Sequence, residues 1–186
     1  MLYYIHGYLS SPNSAKGTLF RDKLSAKAIQ YRDCKPEDLI VADCLEEIVK
    51  EIGNDTNAVL IGSSFGGFLA AKVALENDRV AKLILLNPSI IPPSVDISSL
   101  SGLPSSILYE MKDEHLFENK INSEIVILRG IKDDVVPSKW VLEFAKAQEA
   151  TVKFFNDDHQ FSKYLEKLPD IISNIINVEK NARVVQ

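Results

Sequence analysis

Gly62-Ser63-Ser64-Phe65-Gly66-Gly67 follows the apolar run Ala58-Val59-Leu60-Ile61 and precedes a largely apolar stretch predicted to be helical from near Phe68 to about Asn77. A strand that reverses into a helix through so short a turn leaves little room for side chains beside it, which accounts for the glycines at 62, 66 and 67. In a G-x-S-x-G frame the central residue is Ser64, whose hydroxyl is pushed away from the backbone, and Ser63 is the variable position. A glycine-rich loop that only packs a helix onto a sheet would show a similar pentapeptide. The buried-looking strand before it and the helix after it are the context that a serine nucleophile needs.

Outward from this turn, strands and helices alternate. Leu2 to His6 reads as a buried strand, and Pro12 as a first helical residue capped by Ser11, opening a helix to about Ala28. Ala28 to Tyr31 is a short second strand, and a helix is expected over Glu37 to Ile52 from the spacing of Leu39, Ile40, Leu45, Ile48, Val49 and Ile52. Further strands fall at Ala81 to Leu86, Glu124 to Arg129 and Thr151 to Phe155, with a helix opened by Pro137. A last helix is expected from about Phe161 to Val178, bent or restarted at Pro169. Near-continuous apolar strands between helices predict an α/β fold, a three-layer sandwich with a mostly parallel central sheet. We expect one domain over 1–186, with 179–186 as a frayed tail.

The regular pattern lapses between Asn87 and Glu124, where Pro88, Pro92, Pro93 and Pro104 stand among many serines. Ser105 or Ser106 is a candidate cap for a helix presenting Ile107, Leu108, Met111 and His115 on one side. Residues 88–123 are expected to form a short lid and a crossover helix, the alternative being a plain surface connection.

Composition narrows the classes. A chain of 186 residues, 46% hydrophobic and 25% charged, is long enough for a substantial core without disulfides or metals. The net charge of -5 and the lack of a long Lys/Arg cluster argue against nucleic acid or an anionic membrane as partner. Cys34 and Cys44 form no C-x-x-C pair and lack the accompanying histidines of a zinc site, so reduced thiols and no metal are expected. Met1 to Gly7 has no basic n-region and meets a glycine early, so the expected compartment is the cytoplasm. Oligomeric state is not readable from the sequence.

A serine hydroxyl needs a base, and that base needs a group to fix its tautomer. Of the three histidines, His6 is placed to brace the loop after the first strand and His115 lies in a polar helix. His159 follows the last strand, on a loop opening at the same carboxyl edge of the sheet as the Ser64 turn, and is the candidate base. The loop after the Glu124 to Arg129 strand carries the candidate acids, Asp133 preferred and Asp134 the alternative, with Asp157 and Asp158 read as solvated neighbours of the base. The position just past the preceding strand holds Asn87 rather than a carboxylate, which favours that later loop. The backbone N–H groups of Phe65 and Tyr8 are candidate oxyanion donors, and Tyr8, Leu9, Phe65, Ile90 and Ile91 a modest apolar substrate pocket.

His6-Gly7-Tyr8 with Ser10-Ser11-Pro12, the 62–67 turn, Gly130 to Pro137 and Asp158-His159-Gln160-Phe161 resemble the small YqiA-like esterases of the α/β-hydrolase superfamily over nearly the full length. The order Ser64, Asp133, His159 is the one found in α/β-hydrolases. The resemblance implies that Tyr8, Ser64, Asp133 and His159 fill the roles given above. It further implies hydrolysis of small acyl esters or thioesters through an acyl-enzyme, without a cofactor. The same triad would also serve acyl transfer to another nucleophile or cleavage of a carbon–carbon bond. A non-catalytic ligand-binding protein retaining the hydrolase shell is the reading from another class.

Overall fold

A computed structural model describes residues 1–182. Six parallel strands, β1 (Leu2–Ile5), β2 (Lys27–Ala28), β3 (Ala58–Ser63), β4 (Val80–Leu86), β5 (Glu124–Gly130) and β6 (Thr151–Phe155), form one sheet in the order β2-β1-β3-β4-β5-β6. The chain moves outward from β1 to β2 and then returns to place β3 on the other side of β1. That reversal opens a crevice at the carboxyl ends of β1 and β3, where open parallel sheets bind ligands.

Side-chain alternation along the strands divides the core between two faces. Tyr3, Ile5, Leu60, Leu83, Leu85 and Ile127 pack on one face, and Tyr4, Ile61, Ile84, Leu86, Val126 and Leu128 on the other. The first face is covered by α2 (Val41–Ile52), α3 (Phe65–Glu76), α4 (Ser105–Met111), α5 (His115–Glu118) and α6 (Ser138–Gln148). The second is covered by α1 (Ala15–Leu24) and α7 (Leu168–Ala182), through residues such as Phe20, Leu168 and Ile172. Because both faces of the inner strands β1, β3, β4 and β5 are largely buried, those strands read as near-continuous apolar runs. No helix among the described residues is long and apolar enough to cross a membrane.

Several boundaries differ from the sequence expectations, each for a local reason. The cap of α1 is Ser14, not Ser11: the Ser14 N–H donates to the Ser11 carbonyl at 3.1 Å, so residues 11–14 close a turn first. The Ser14 hydroxyl then accepts from the Gly17 N–H at 3.3 Å. Helix α1 ends at Leu24 because Ser25 adopts a left-handed conformation, and β2 is confined to Lys27–Ala28. The expected helix from Glu37 is a short 3-10 turn, Pro36–Asp38, followed by α2 from Val41, the extended Leu39 and Ile40 separating them. His115 opens a separate short helix rather than extending the Ile107 face. Pro169 lies in the first turn of α7, where its missing N–H is harmless, so it starts that helix instead of bending it. Part of the expected tail lies inside α7, and 183–186 lie outside the described residues.

Candidate active site

Ser64 occupies the junction between β3 and α3 at φ 53° and ψ -119°, a backbone conformation that L residues rarely adopt. The elbow is held by close backbone packing. A Cβ on Gly62 would lie 2.7 Å from the Gly67 Cα, and one on Gly66 would collide with the carbonyls of Ile5 and His6. Gly62 therefore lets the start of α3 fold back on β3, and Gly66 lets it press against the end of β1. The Ser64 N–H donates to the Leu86 carbonyl at 2.9 Å and the Ser64 carbonyl accepts from the Ser89 N–H at 3.1 Å, fixing the turn to the end of β4.

The loop after β1 lies directly against this turn, since a Cβ on Gly7 would come within 3.6 Å of the Ser64 Cβ. The Tyr8 and Phe65 rings meet edge to face at 5.9 Å. Among the described residues neither the Tyr8 nor the Phe65 N–H has a protein acceptor, leaving both donors free for a ligand. The loop is braced from behind. Arg32 donates to the Tyr8 carbonyl at 2.6 Å and to the Ser10 carbonyl at 3.2 Å, and the Tyr31 hydroxyl donates to the His6 carbonyl at 3.1 Å. His6 stacks on Tyr31 at 4.3 Å, with its Nδ1 2.9 Å from the Gly7 carbonyl. Burial lowers the His6 pKa to about 4, so the imidazole is neutral and Nδ1 carries the proton that the carbonyl accepts.

His159 follows β6 on a turn completed by Phe161, which has φ 59°. Its Nδ1 is 2.9 Å from Asp133 Oδ2. Burial alone would raise the Asp133 carboxyl, but hydrogen bonds from His159 and from the Val136 and Val135 N–H groups outweigh it and hold the group below its usual value. An ionised carboxylate only accepts, so His159 Nδ1 donates and Nε2 is left as the basic nitrogen. The buried Arg129 guanidinium also binds Asp133 Oδ2 and donates to the Val136 carbonyl at 2.6 Å. Asp134 is exposed. Asp157, read from the sequence as solvated, is instead buried and accepts from the N–H groups of Asp158, Lys163 and Tyr164. His115 is exposed and takes no part.

Asn87 was noted in the sequence only for not being a carboxylate. It is wholly buried, has φ 45°, and joins the loops after β4, β5 and β6. Its Oδ1 accepts from the Gly130 N–H at 2.9 Å and from Arg129 at 3.2 Å. Its Nδ2 donates to the carbonyls of Asp158, at 3.2 Å, and His159, at 3.0 Å. Ser89, equally unforeseen, is hydrogen-bonded through its hydroxyl to that of Ser64 at 3.1 Å. The sequence held no signal for either residue beyond their position at a strand end.

Ser64, Ser89 and His159 line one cavity of about 580 Å³. Tyr8, Leu9, Phe65 and Ile91 line it as well, but Ile90 does not; both isoleucines are buried in the same core cluster, and only Ile91 also reaches the cavity. Further apolar wall comes from Leu100, Leu103, Leu108 and Met111 in the 88–123 segment, and from Val135, Val136, Trp140 and Leu165. Among the described residues no hydrogen bond joins Ser64 to His159; the serine hydroxyl is held by Ser89.

Solved structures of the same shape place the fold. Est1E from Butyrivibrio proteoclasticus, with ferulic acid bound, superposes with a TM-score of 0.76 at 19% identity, over 97% of this chain and 89% of that one. Alpha/beta hydrolase domain-containing protein 10 from mouse does so at 0.75 and 18%, over 95% and 89%. An N-formylmaleamic acid deformylase from Pseudomonas putida S16 does so at 0.69 and 13%, over 93% and 91%. The chain has the α/β-hydrolase fold. Over residues 1–175 it matches the family model described as "Uncharacterised protein family (UPF0227)", and it belongs to that family.

Proposed function

We propose that this protein is a cytoplasmic serine hydrolase that cleaves small acyl esters or thioesters. The observation that carries the reading is the pairing of His159 with a buried, ionised Asp133 in a cavity that also exposes Ser64 from a strained strand-to-helix turn. Relatives in fold named as a hydrolase-domain protein and a deformylase support hydrolysis as the reaction class.

In the proposed mechanism the Ser64 hydroxyl turns from Ser89 toward His159, a rotation about one side-chain bond. Ser64 Oγ attacks the acyl carbonyl while its proton passes to His159 Nε2. The resulting imidazolium is stabilised by Asp133 through Nδ1–H. The carbonyl oxygen, now an oxyanion, is met by the N–H groups of Tyr8 and Phe65, each such donor contributing about 3 kcal/mol to lowering the barrier. Collapse breaks the bond to the alcohol or thiol, which leaves with the proton from His159. Water then attacks the acyl-enzyme with His159 as base, and the carboxylic acid departs from a regenerated Ser64. The acyl chain lies along the apolar wall of Leu100, Leu103, Leu108 and Met111, with residues 88–123 serving as a short lid.

The deciding experiment is turnover of p-nitrophenyl butyrate by the wild type and by Ser64→Ala, together with labelling by a fluorophosphonate. We expect activity and covalent labelling to be lost in Ser64→Ala while circular dichroism is unchanged. Undiminished turnover in that variant would falsify the mechanism.

A further inference from the structure

Lys16 is a charged residue in the cavity that takes no part in the proposed relay. It is 7% exposed and lines the cavity near the start of α1. Its Nζ donates to the neutral Gln160 Oε1 at 3.3 Å, and among the described residues no carboxylate lies within ion-pair distance. Asp157 and Asp158 are the acids that bear on it, and both are engaged elsewhere. Asp157 accepts from the N–H groups of Asp158, Lys163 and Tyr164, and Asp158 from that of Ser162. A buried ammonium facing a cavity without a counter-charge in contact is costly unless something anionic completes it. Four polar residues, Ser10, Ser14, Gln160 and Ser162, line the cavity together with Lys16. Burial lowers the Lys16 pKa and the two aspartates partly oppose this, the behaviour of a desolvated cation.

The placement of this cation also says which end of a substrate it meets. Gln160 directly follows His159, the group that in the proposed mechanism returns a proton to the departing oxygen or sulfur, whereas the apolar side chains of Leu100, Leu103, Leu108, Met111 and Trp140 come from the 88–123 segment and α6. We infer that the substrate's leaving group is an alcohol or thiol bearing an anionic group, a carboxylate or a phosphate, which Lys16 and Gln160 bind. This rests on the hydrolase reading above. The chain as a whole is acidic, with a net charge of -5, so anion selectivity must come from this local cation rather than from the overall field.

The test compares butyrate esters that differ only in the leaving group: 4-(butyryloxy)benzoate and 4-(butyryloxy)phenyl phosphate against the neutral 4-(butyryloxy)benzamide. We expect kcat/KM for at least one anionic ester to exceed that of the benzamide by about tenfold or more, the value of a charge-assisted contact. The ratio should fall to about one in Lys16→Met, and equally in Lys16→Gln, each of which removes the charge and shortens the side chain by one atom. The benzoate and phosphate arms tell the two anions apart. A further pair, p-nitrophenyl hydrogen adipate against p-nitrophenyl hexanoate, places the charge at the acyl end instead. A wild-type ratio near one for both leaving groups, a ratio that survives both substitutions, or a preference confined to the adipate ester would overturn the inference. If no ester is turned over at all, the hydrolase reading fails by itself, and the site is judged by saturation-transfer NMR. Binding of 4-hydroxybenzoate in preference to 4-hydroxybenzamide that is lost in Lys16→Met sustains it, and equal binding in both proteins overturns it.

Discussion

Asp133 gathers an imidazole and a guanidinium donor, with two backbone N–H groups, on one carboxylate. Oδ2 faces both His159 Nδ1 and the buried Arg129 guanidinium, while Oδ1 accepts from the Val135 and Val136 N–H groups at 2.8 and 3.0 Å. The arrangement fixes the carboxylate in the plane where it orients the imidazole, and the backbone contacts keep it ionised against its own burial. Asn at this position would retain the shape but present an amide in place of one acceptor, favouring the wrong His159 tautomer. We expect Asp133→Asn to lower kcat by about a thousandfold to ten-thousandfold in a p-nitrophenyl ester assay. Asp134→Asn, at an exposed site one residue on, should stay close to wild type. The reverse ranking would move the acid role to Asp134. From the sequence the two aspartates were separable only as a preference. Arg129, a charged residue inside an otherwise apolar strand, was the unread sign of which carboxylate points inward.

At the scale of elements, the site depends on three loops being held in register at one edge of the sheet. Asn87 does much of this by donating to the loop that carries His159 and accepting from the end of β5. Removing its amide leaves buried donors and acceptors unpaired, at about 1–3 kcal/mol for a group so stranded. Asn87→Ala is therefore expected to lower stability by about 2–3 kcal/mol in urea unfolding. It should also reduce kcat far more than it changes KM, because it frees the His159 loop without touching the cavity wall. A stable variant with wild-type kcat would show that β6 and its turn hold His159 unaided. The element boundaries that the sequence misplaced share one cause. Ser11 and Ser14 have equal capping chemistry, and only the turn closed between them selects the second. Pro169 is compatible with a kink or a first turn, and the 3-10 segment Leu165–Lys167 before it decides for the latter.

For the molecule as a whole, buried titratable groups predict loss of stability in acid. His6 is neutral in the fold, its pKa lowered by burial to about 4 from an ordinary 6.5. Between those values the unfolded chain binds the proton and the folded one does not, so stability declines as pH falls through the window. This group alone contributes a slope of up to about 1.4 kcal/mol per pH unit. Asp133, held below its usual value, acts in the same direction as pH falls further, since its stabilising contacts are lost on protonation. The urea midpoint is expected to be flat above pH 6.5 and to drop toward pH 4. His6→Phe, which keeps a ring against Tyr31, should lower the midpoint at pH 7 but flatten its dependence over that interval. An unchanged slope in that variant would show that His6 is not the group responsible.

By itself the sequence determined the number of strands and their places along the chain, the parallel sheet and the turn at Ser64, because apolar runs, glycine spacing and flanking helices act locally and at short range. It also narrowed the candidate base to one histidine, since in a parallel sheet the loop that follows a strand opens at the carboxyl edge. Only the tertiary structure decided that Asp133 faces His159 while Asp134 faces solvent, that Ile91 lines the cavity and Ile90 does not, and that Asn87, Arg129, Ser89 and Lys16 belong to the site. Those outcomes rest on hydrogen bonds and burial between residues far apart in the chain. Neither periodicity nor residue type carries that information.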